Sequence, residues 1–529
     1  MFKNKSYYPF YFVLLFLLGI LLGQKLSKSP DNTSYETNKI NHILQYIESD
    51  YVDSVPLSEM EDVLAGAMME KLDPHSIYIT KEEFSAVNDP LVGKFDGIGV
   101  QFRMIHDTVV VIQALENGPS KKAGIRAGDR IVIANADTLA GKHFNSLDIQ
   151  KHLKGERGSV VDLLIKRAGE KELLKFAIKR DAIPTFSIDA AFMLNKETAY
   201  IKLSQFSATT IDEFAEAMKQ LSDEGMKKLV LDLRGNTGGY LGAAIFLADD
   251  FLEKGRLIVY TEGRNRPKKV YKSSSNTAFG NGELIILQDE ASASASEILA
   301  GAIQDNDRGL IVGRRSFGKG LVQEQMNYRD GSAVRLTVAR YYTPSGRSIQ
   351  RSYAKGTEDY YNDYYNRLHS KAMFAPDSTQ LNDSLKFKTL KGRTVYGGGG
   401  IWPDYFIPAD TSINFYFYNQ LISQSVIYEY AFEYVQTNRE ELLKKYPDVE
   451  GFIRGFKNDD KLYSQFLAQP EVKILKPSKQ DTSDSKSYIL TLLKAEIARN
   501  LWEKGFYPVY LQNDRFVEKA MKIMDEKLP

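Results

Sequence analysis

The first pattern along the chain is an unbroken apolar run. From Ser6 to Gln24 the sequence carries no charge, and Phe10–Gly23 is almost entirely Phe, Leu, Ile and Val, with Lys3 and Lys5 before it and Lys25 and Lys28 after it. At about 1.5 Å per residue such a run reaches across a hydrocarbon core of about 30 Å. The only cleavage-like stretch, Ser27-Lys28-Ser29, is followed directly by Pro30, so residues 1–30 read as a retained membrane anchor and not as a removed signal. Lysines balance across the run, so charge does not set the orientation; export of the remainder rests on the run itself.

Residues 31–94 read as a polar spacer (31–36) and a helical region. Ile40, Ile43, Leu44, Ile47 and Tyr51 recur at helical spacing, as do Met60, Val63, Leu64, Ala67, Met68 and Leu72. Leu72-Asp-Pro-His-Ser76 breaks the second helix, and His75 reads as a structural turn residue. Over 95–181 the period shortens to that of strands: a glycine-rich entry at Gly97–Phe102, a β-branched run at Thr108–Ile112, then Val160–Lys166 and Leu173–Ile178, with a helix near Leu147–Leu153. Over 182–410 strands and helices alternate. Thr198–Leu203, Lys228–Leu233, Glu283–Gln288 and Leu310–Gly313 read as strands, and Thr210–Leu221, Ala243–Phe251 and Ala295–Gln304 as helices. That order implies a mostly parallel sheet with crossover helices. Ala333–Tyr342 is a further long strand, 353–394 a weakly patterned polar excursion, and 411–529 a charged helical region with Ser478–Ser487 as an internal linker.

Composition then removes several chemistries. The 529 residues carry 69 basic and 68 acidic side chains, which leaves no electrostatic footprint for nucleic acid. There is no cysteine, which excludes disulfides, thiol nucleophiles and thiolate metal sites; the six histidines include no His-x-x-x-His pair, so no metal or other cofactor is expected.

Gly118-Pro-Ser-Lys-Lys-Ala-Gly-Ile-Arg-Ala-Gly-Asp129, set among the strands of 95–181, resembles a PDZ domain. In that reading Gly97, Ile98, Gly99 and Val100 form a loop whose N–H groups surround a peptide's terminal carboxylate, and the following strand offers an edge for an added strand. The plainer alternative is that both glycines only permit a tight turn.

Two segments of 182–410 carry candidate chemistry. Asp289-Glu-Ala-Ser-Ala-Ser-Ala-Ser-Glu297 alternates serines with alanines before a helix, and Ser294-x-x-Glu297 is formally a capping box. Lys319 stands 25 residues beyond Ser294, and Gln323 four residues beyond Lys319, a spacing that keeps both side chains on one face. A buried, neutral lysine can take a serine's proton, with the glutamine orienting its amine. Gly313–Lys319 also fits part of a phosphate loop, but Gly320 stands where that loop needs Ser or Thr. Ser316-x-x-Lys319 fits the motif of penicillin-recognising enzymes, but its companion motifs are missing and glycines flank the lysine.

Together, Leu72-Asp-Pro-His-Ser76, the PDZ stretch, Asp232-Leu-Arg-Gly-Asn-Thr-Gly-Gly239, Ser292-Ala-Ser-Ala-Ser-Glu-Ile298, Ser316-Phe-Gly-Lys-Gly-Leu-Val-Gln323 and Tyr342-Thr-Pro-Ser-Gly-Arg-Ser-Ile349 resemble the C-terminal processing peptidases, or tail-specific proteases. The resemblance covers roughly residues 40–350; with the patterns above it implies a multidomain α+β chain: anchor 1–30, helical region 31–94, PDZ domain 95–181, serine–lysine protease core 182–410 and helical region 411–529. It implies Ser294 as nucleophile, Lys319 as base and Gln323 as its orienting partner. It also implies an oxyanion hole from Ala295 and one N–H of Gly238-Gly239, with Arg234, Glu297 and Asp305 in support. The expected activity is cleavage of exported proteins with free, apolar C-termini, by an enzyme anchored in the inner (cytoplasmic) membrane with its catalytic domains on the periplasmic side. The alternative is a catalytically inactive peptide-binding scaffold. Oligomeric state and any adaptor protein stay open.

Overall fold

The computed structural model describes residues 13–19, 39–115, 117–274, 279–375, 383–410, 415–457 and 459–526. The chain divides into two units, 1–69 and 70–529. The helical spacings near the start are met by helices Lys39–Asp50 and Leu57–Glu70. Of the expected anchor, only the helical stretch 13–19 is described; the rest of it, and the spacer, lie outside the described residues. Among the described residues no helix is long and apolar enough to cross a membrane.

The region from Lys94 to Pro184 is built on an antiparallel sheet ordered Val100–Ile105, Thr108–Ala114, Arg130–Ala134, Val160–Lys166 and Leu174–Lys179. Alternation is plain in Val160–Lys166, where Val161, Leu163 and Ile165 are fully buried while Val160, Asp162 and Lys166 face out. Helix Ser146–Leu153, capped by Asn145, closes the core with Ile149 and Leu153. Val100–Ile105 is the edge strand of that order.

The following core carries a six-stranded sheet ordered Ile188–Met193, Thr198–Leu203, Lys228–Asp232, Glu283–Gln288, Leu310–Gly313 and Tyr405–Phe406. The first pair is antiparallel and the other four pairings are parallel. Its central strands are nearly continuous apolar runs because both faces are covered. Leu229, Leu231 and Ile286 pack under helices Thr210–Asp223, Leu241–Phe251 and Ala295–Asp305. On the opposite face Tyr200, Val230 and Ile285 meet Val517, Ala520, Ile523 and Met524 of helix Arg515–Asp525.

A second sheet was not expected from the pattern. It runs Ile77–Ile79, Ala333–Tyr342, Leu257–Gly263, Arg266–Lys272, and Leu321–Asn327 also pairs with Ala333–Tyr342. The excursion 353–394 contains helix Thr357–Leu368 and a hairpin of Lys386–Lys388 with Thr394–Tyr396. Beyond residue 415 the chain is helical as expected, but Ser478–Ser487 is not a linker. Ser478 Oγ accepts the Asp481 N–H at 3.1 Å, Asp481 returns the bond to the Ser478 N–H at 2.8 Å, and helix Lys479–Asp484 leads directly into Lys486–Leu501. The polar cluster is a helix start, because Ser and Asp satisfy the free amides there.

Candidate active site

Strand Glu283–Gln288 leaves the sheet through a tight turn and enters helix Ala295–Asp305. Asp289 Oδ1 fastens that turn by accepting the N–H groups of Gly235 at 2.9 Å and of Ala291 and Ser292 at 3.1 Å. The three alternating serines then part company. Ser292 Oγ donates to the Leu233 carbonyl and Ser296 Oγ to the Asn236 carbonyl, each at 2.8 Å, and both side chains are 1% exposed. Ser294 is half-buried, with φ 55° and ψ −111°. A non-glycine residue held at positive φ stores roughly 1–3 kcal/mol of strain, which the surrounding bonds must hold in place. Its hydroxyl falls within the outline of a capping box but makes no capping hydrogen bond.

Glu297 explains how that turn meets the lysine loop. It is fully buried, and its Oε2 accepts two backbone N–H groups, from Ser294 and from Lys319, both at 2.9 Å. Its Oε1 accepts the Gly318 N–H at 2.7 Å and the Ser316 hydroxyl at 2.5 Å. Burial pushes the carboxyl's pKa up, and these four donors pull against that. On the other side the buried Tyr341 hydroxyl lies 3.1 Å from the Ser294 carbonyl oxygen and 2.6 Å from that of Lys319. The two segments are therefore joined through both their amides and their carbonyls. Neither Tyr341 nor the double use of Glu297 was expected from sequence. Glu297→Gln replaces one acceptor oxygen with an amide NH2, a donor set against donors, so it should cost roughly 2–4 kcal/mol of unfolding free energy. Chemical denaturation measures this, and an unchanged midpoint would show that the shared carboxylate contributes nothing to stability.

The Lys319 ammonium donates to Gln323 Oε1 at 2.9 Å. Gln323 is fixed in that orientation because its Nε2 donates to the His75 carbonyl. His75 is in turn placed by Asp73, whose carboxylate accepts the N–H groups of His75 and Ser76 at 2.8 and 2.9 Å and the Ser76 hydroxyl at 2.6 Å. The Leu72–Ser76 turn thus acts on the site through a backbone oxygen. The His75 ring meets the Tyr360 hydroxyl at 3.0 Å, and burial, with Lys319 and Arg351 nearby, pushes its pKa down to about 3. The ring is therefore uncharged at neutral pH. Burial pushes the Lys319 pKa down to about 8, with Arg335 adding to the shift. The excursion buttresses both segments: Arg367 Nη1 donates to the Ser316 carbonyl of the lysine loop at 2.9 Å, and Tyr361 to the Pro74 carbonyl of the Leu72–Ser76 turn at 3.0 Å.

The glycine turn after strand Lys228–Asp232 packs directly on Ser294. Asn236 staples it, donating Nδ2 to the Leu203 carbonyl at 3.0 Å, accepting the Gly238 N–H at 2.9 Å, and accepting the Ala293 N–H at its own carbonyl at 3.0 Å. Gly238 has φ 104°, and a Cβ there would come within 2.8 Å of Ser294 Cβ and 3.0 Å of the Ala295 nitrogen. A Cβ on Gly239, at φ 142°, would collide with the Phe206 carbonyl. Ser294, Ala295, Gly238, Gly239, Glu297, Lys319 and Gln323 are therefore brought together.

Arg234 and Asp305 lie elsewhere. Arg234 spans Asp232, at 2.6 Å, and Asp514, at 2.8 Å. Asp305 ends the helix that Ser294 begins, about 15 Å away at 1.5 Å per residue. There it forms a fully buried ion pair with Arg347 at 2.7 Å and steadies the Thr343–Ile349 loop by accepting the Ser345 N–H at 3.1 Å. Among the described residues no group of three or more His, Asp or Glu side chains is placed to hold a metal ion.

In the antiparallel domain, Gly97, Ile98, Gly99 and Val100 line a pocket of about 170 Å³ with Phe95, Phe102, the helix residues Gln150 and Leu153, and Lys154 just beyond the helix. Gly99 has φ 73°, and its carbonyl accepts the Leu115 N–H at 3.0 Å.

Comparison with known proteins matches three segments of the chain to families. Residues 97–178 match the PDZ domain family, 197–360 match peptidase family S41, and 417–503 match a family of unknown function, DUF8443. The carboxy-terminal processing protease CtpA of Bacillus subtilis is 32% identical over 340 residues, covering 64% of this chain and 71% of that one. Its CtpB is 34% identical over 324 residues, covering 61% and 66%. The chain belongs to the carboxy-terminal processing proteases, which are serine-type hydrolases. The inactive-scaffold alternative is not favoured by this membership. Among solved structures, a photosystem II D1 C-terminal processing protease is 26% identical, covering 58% of this chain and 88% of that one, with a TM-score of 0.33.

Proposed function

We propose that Ser294 is the nucleophile and Lys319 its general base, and that the enzyme cleaves exported proteins whose free C-terminal tails it holds in the PDZ groove. The observation that carries the reading is the divergence of the serines. Two have spent their hydroxyls on carbonyls, while the third is accessible and shares one carboxylate oxygen with the lysine's amide.

Ser294 Oγ attacks the scissile carbonyl and passes its proton to neutral Lys319, which Gln323 holds by its oxygen. The oxyanion is received by the N–H of Ala295, at the start of its helix, and by that of Gly239, since Gly238 has given its own to Asn236. The Lys319 ammonium then protonates the leaving amine, and its free amine later activates the water that releases the acyl group. Arg234 and Asp305 support the turn and the helix from a distance.

Residues 1–30 hold the enzyme in the cytoplasmic membrane with its domains on the far side. The helical stretch from Val13 to Leu18, all of it exposed and apolar, supports this. At the PDZ groove, the N–H groups of Gly97–Val100 receive the tail's terminal carboxylate and the edge strand Val100–Ile105 receives its backbone. A peptide with an apolar free C-terminus should bind the full chain at least about tenfold more tightly than its C-terminal amide. Equal affinities, measured by fluorescence anisotropy, would overturn carboxylate capture.

A further inference from the structure

The edge strand continues past the carboxylate pocket into a second cleft, of about 530 Å³. One side of this cleft is the PDZ domain, with Gln101–Met104 and Phe144–Ser146; the other is the helical region, with Tyr428 and Phe432 from one helix and Arg499 and Asn500 from another. Phe102 lines both the pocket and the cleft, so the two are consecutive along one strand.

The helical side is fastened in place. Phe432 joins Ile105 and Val110 in a small apolar cluster, and the Arg103 guanidinium lies 3.7 Å from the centre of the Tyr428 ring. The charge of the cleft is uneven. Arg103 and Arg499 face one carboxylate, Glu496, which is nearly buried and bound to Arg499 at 3.2 Å. One positive charge is left over.

We propose that the helical region matched by the family of unknown function is the outer wall of the substrate groove, and that it selects an acidic side chain upstream of the tail's end. This rests on the tail-binding reading above. A peptide paired antiparallel to Val100–Ile105, with its carboxylate at Gly97–Gly99, moves along the strand by about 3.3 Å per residue. Roughly the third to fifth residues from its end therefore lie between Arg103 and the wall. An aspartate there meets an unneutralised guanidinium, and an asparagine gains much less.

The test uses the full chain carrying Ser294→Ala, so that bound peptide is not consumed, and two fluorescent peptides with the same apolar free C-terminus. They differ only in Asp or Asn at the third to fifth positions from the end. The Asp peptide should bind about tenfold more tightly at low salt, and Arg103→Gln should erase that preference. Arg103 is the residue to change first, because removing Arg499 strands Glu496. Equal binding of the two peptides by the parent, or a preference that survives Arg103→Gln, overturns the proposal. So does a gain in affinity for both peptides on Arg103→Gln, which would make the helical region a plug and not a selective wall. The amide forms separate the two levels of the argument. If acid still exceeds amide while Asp equals Asn, only the wall is lost; if acid equals amide, tail capture itself is lost.

Discussion

Ser294→Ala should reduce peptide hydrolysis by roughly 10⁴-fold or more, while Ser292→Ala and Ser296→Ala should keep the chemistry and lose stability. The contrast follows from where each hydroxyl goes. Ser292 and Ser296 bond the carbonyls of Leu233 and Asn236 in a fully packed turn, so removing either leaves a buried carbonyl with one acceptor interaction fewer, at about 1–3 kcal/mol. Ser294 makes no such bond, and alanine at that position keeps the Ser294 amide's attachment to Glu297. The variant should therefore melt near the parent temperature and bind tail peptides as the parent does. Turnover of a quenched peptide, read beside thermal unfolding, separates the three. Residual turnover in Ser294→Ala comparable to the parent would remove it as nucleophile.

Lys319→Met should abolish turnover to a similar degree, roughly 10³–10⁴-fold, without unfolding the protein. Two pH measurements distinguish a base from a merely positioned lysine. With its pKa pushed down to about 8, Lys319 is mostly protonated at neutral pH, so kcat/KM should rise by about tenfold per unit below pH 8 and level off above it. A flat profile from about pH 6 to 9 would contradict its role. Stability supplies the second sign. A lysine whose folded pKa lies below its ordinary value of 10.5 binds fewer protons in the fold, so stability rises with pH between about 8 and 10.5. Below that window the fold carries the full cost of a buried ammonium. Methionine relieves it, so the variant should be more stable than the parent at neutral pH, with the advantage fading as pH approaches 10.5. A loss of stability at pH 7 would instead mean that the ammonium is structurally required.

Much of this architecture could be read from periodicity because the elements agree with their burial. Val160–Lys166 alternates since one face is wet, and Lys228–Asp232 does not since both are covered. The hairpin of Leu257–Gly263 with Arg266–Lys272 was not legible: its second strand is charged and largely exposed, so no apolar face marks it. Within the site, serine, lysine and glutamine could be paired by spacing and resemblance. Tyr341 could not, because an apolar-looking residue late in a long strand gives no sign that its hydroxyl reaches two carbonyls from segments 25 residues apart in sequence. Asn236 was visible only as part of a glycine-rich turn. His75 reads as a structural turn residue; its backbone oxygen accepts from Gln323 Nε2, and backbone atoms leave no trace in residue identity.

Arg234 carries a consequence for how the enzyme comes into being. It stands at the start of the turn that leads to Gly238 and Gly239, and it is held by Asp514, which also caps helix Arg515–Asp525 by accepting the N–H groups of Phe516 and Val517. That helix covers one face of the core sheet, and the Lys228 side chain donates to its Met524 carbonyl at 2.7 Å. A growing chain that has made Ser294, Lys319 and Gln323 still lacks Asp514, one of the two carboxylates that hold Arg234. Until residues 514–524 have been synthesised, the nascent polypeptide holds one face of its core sheet uncovered.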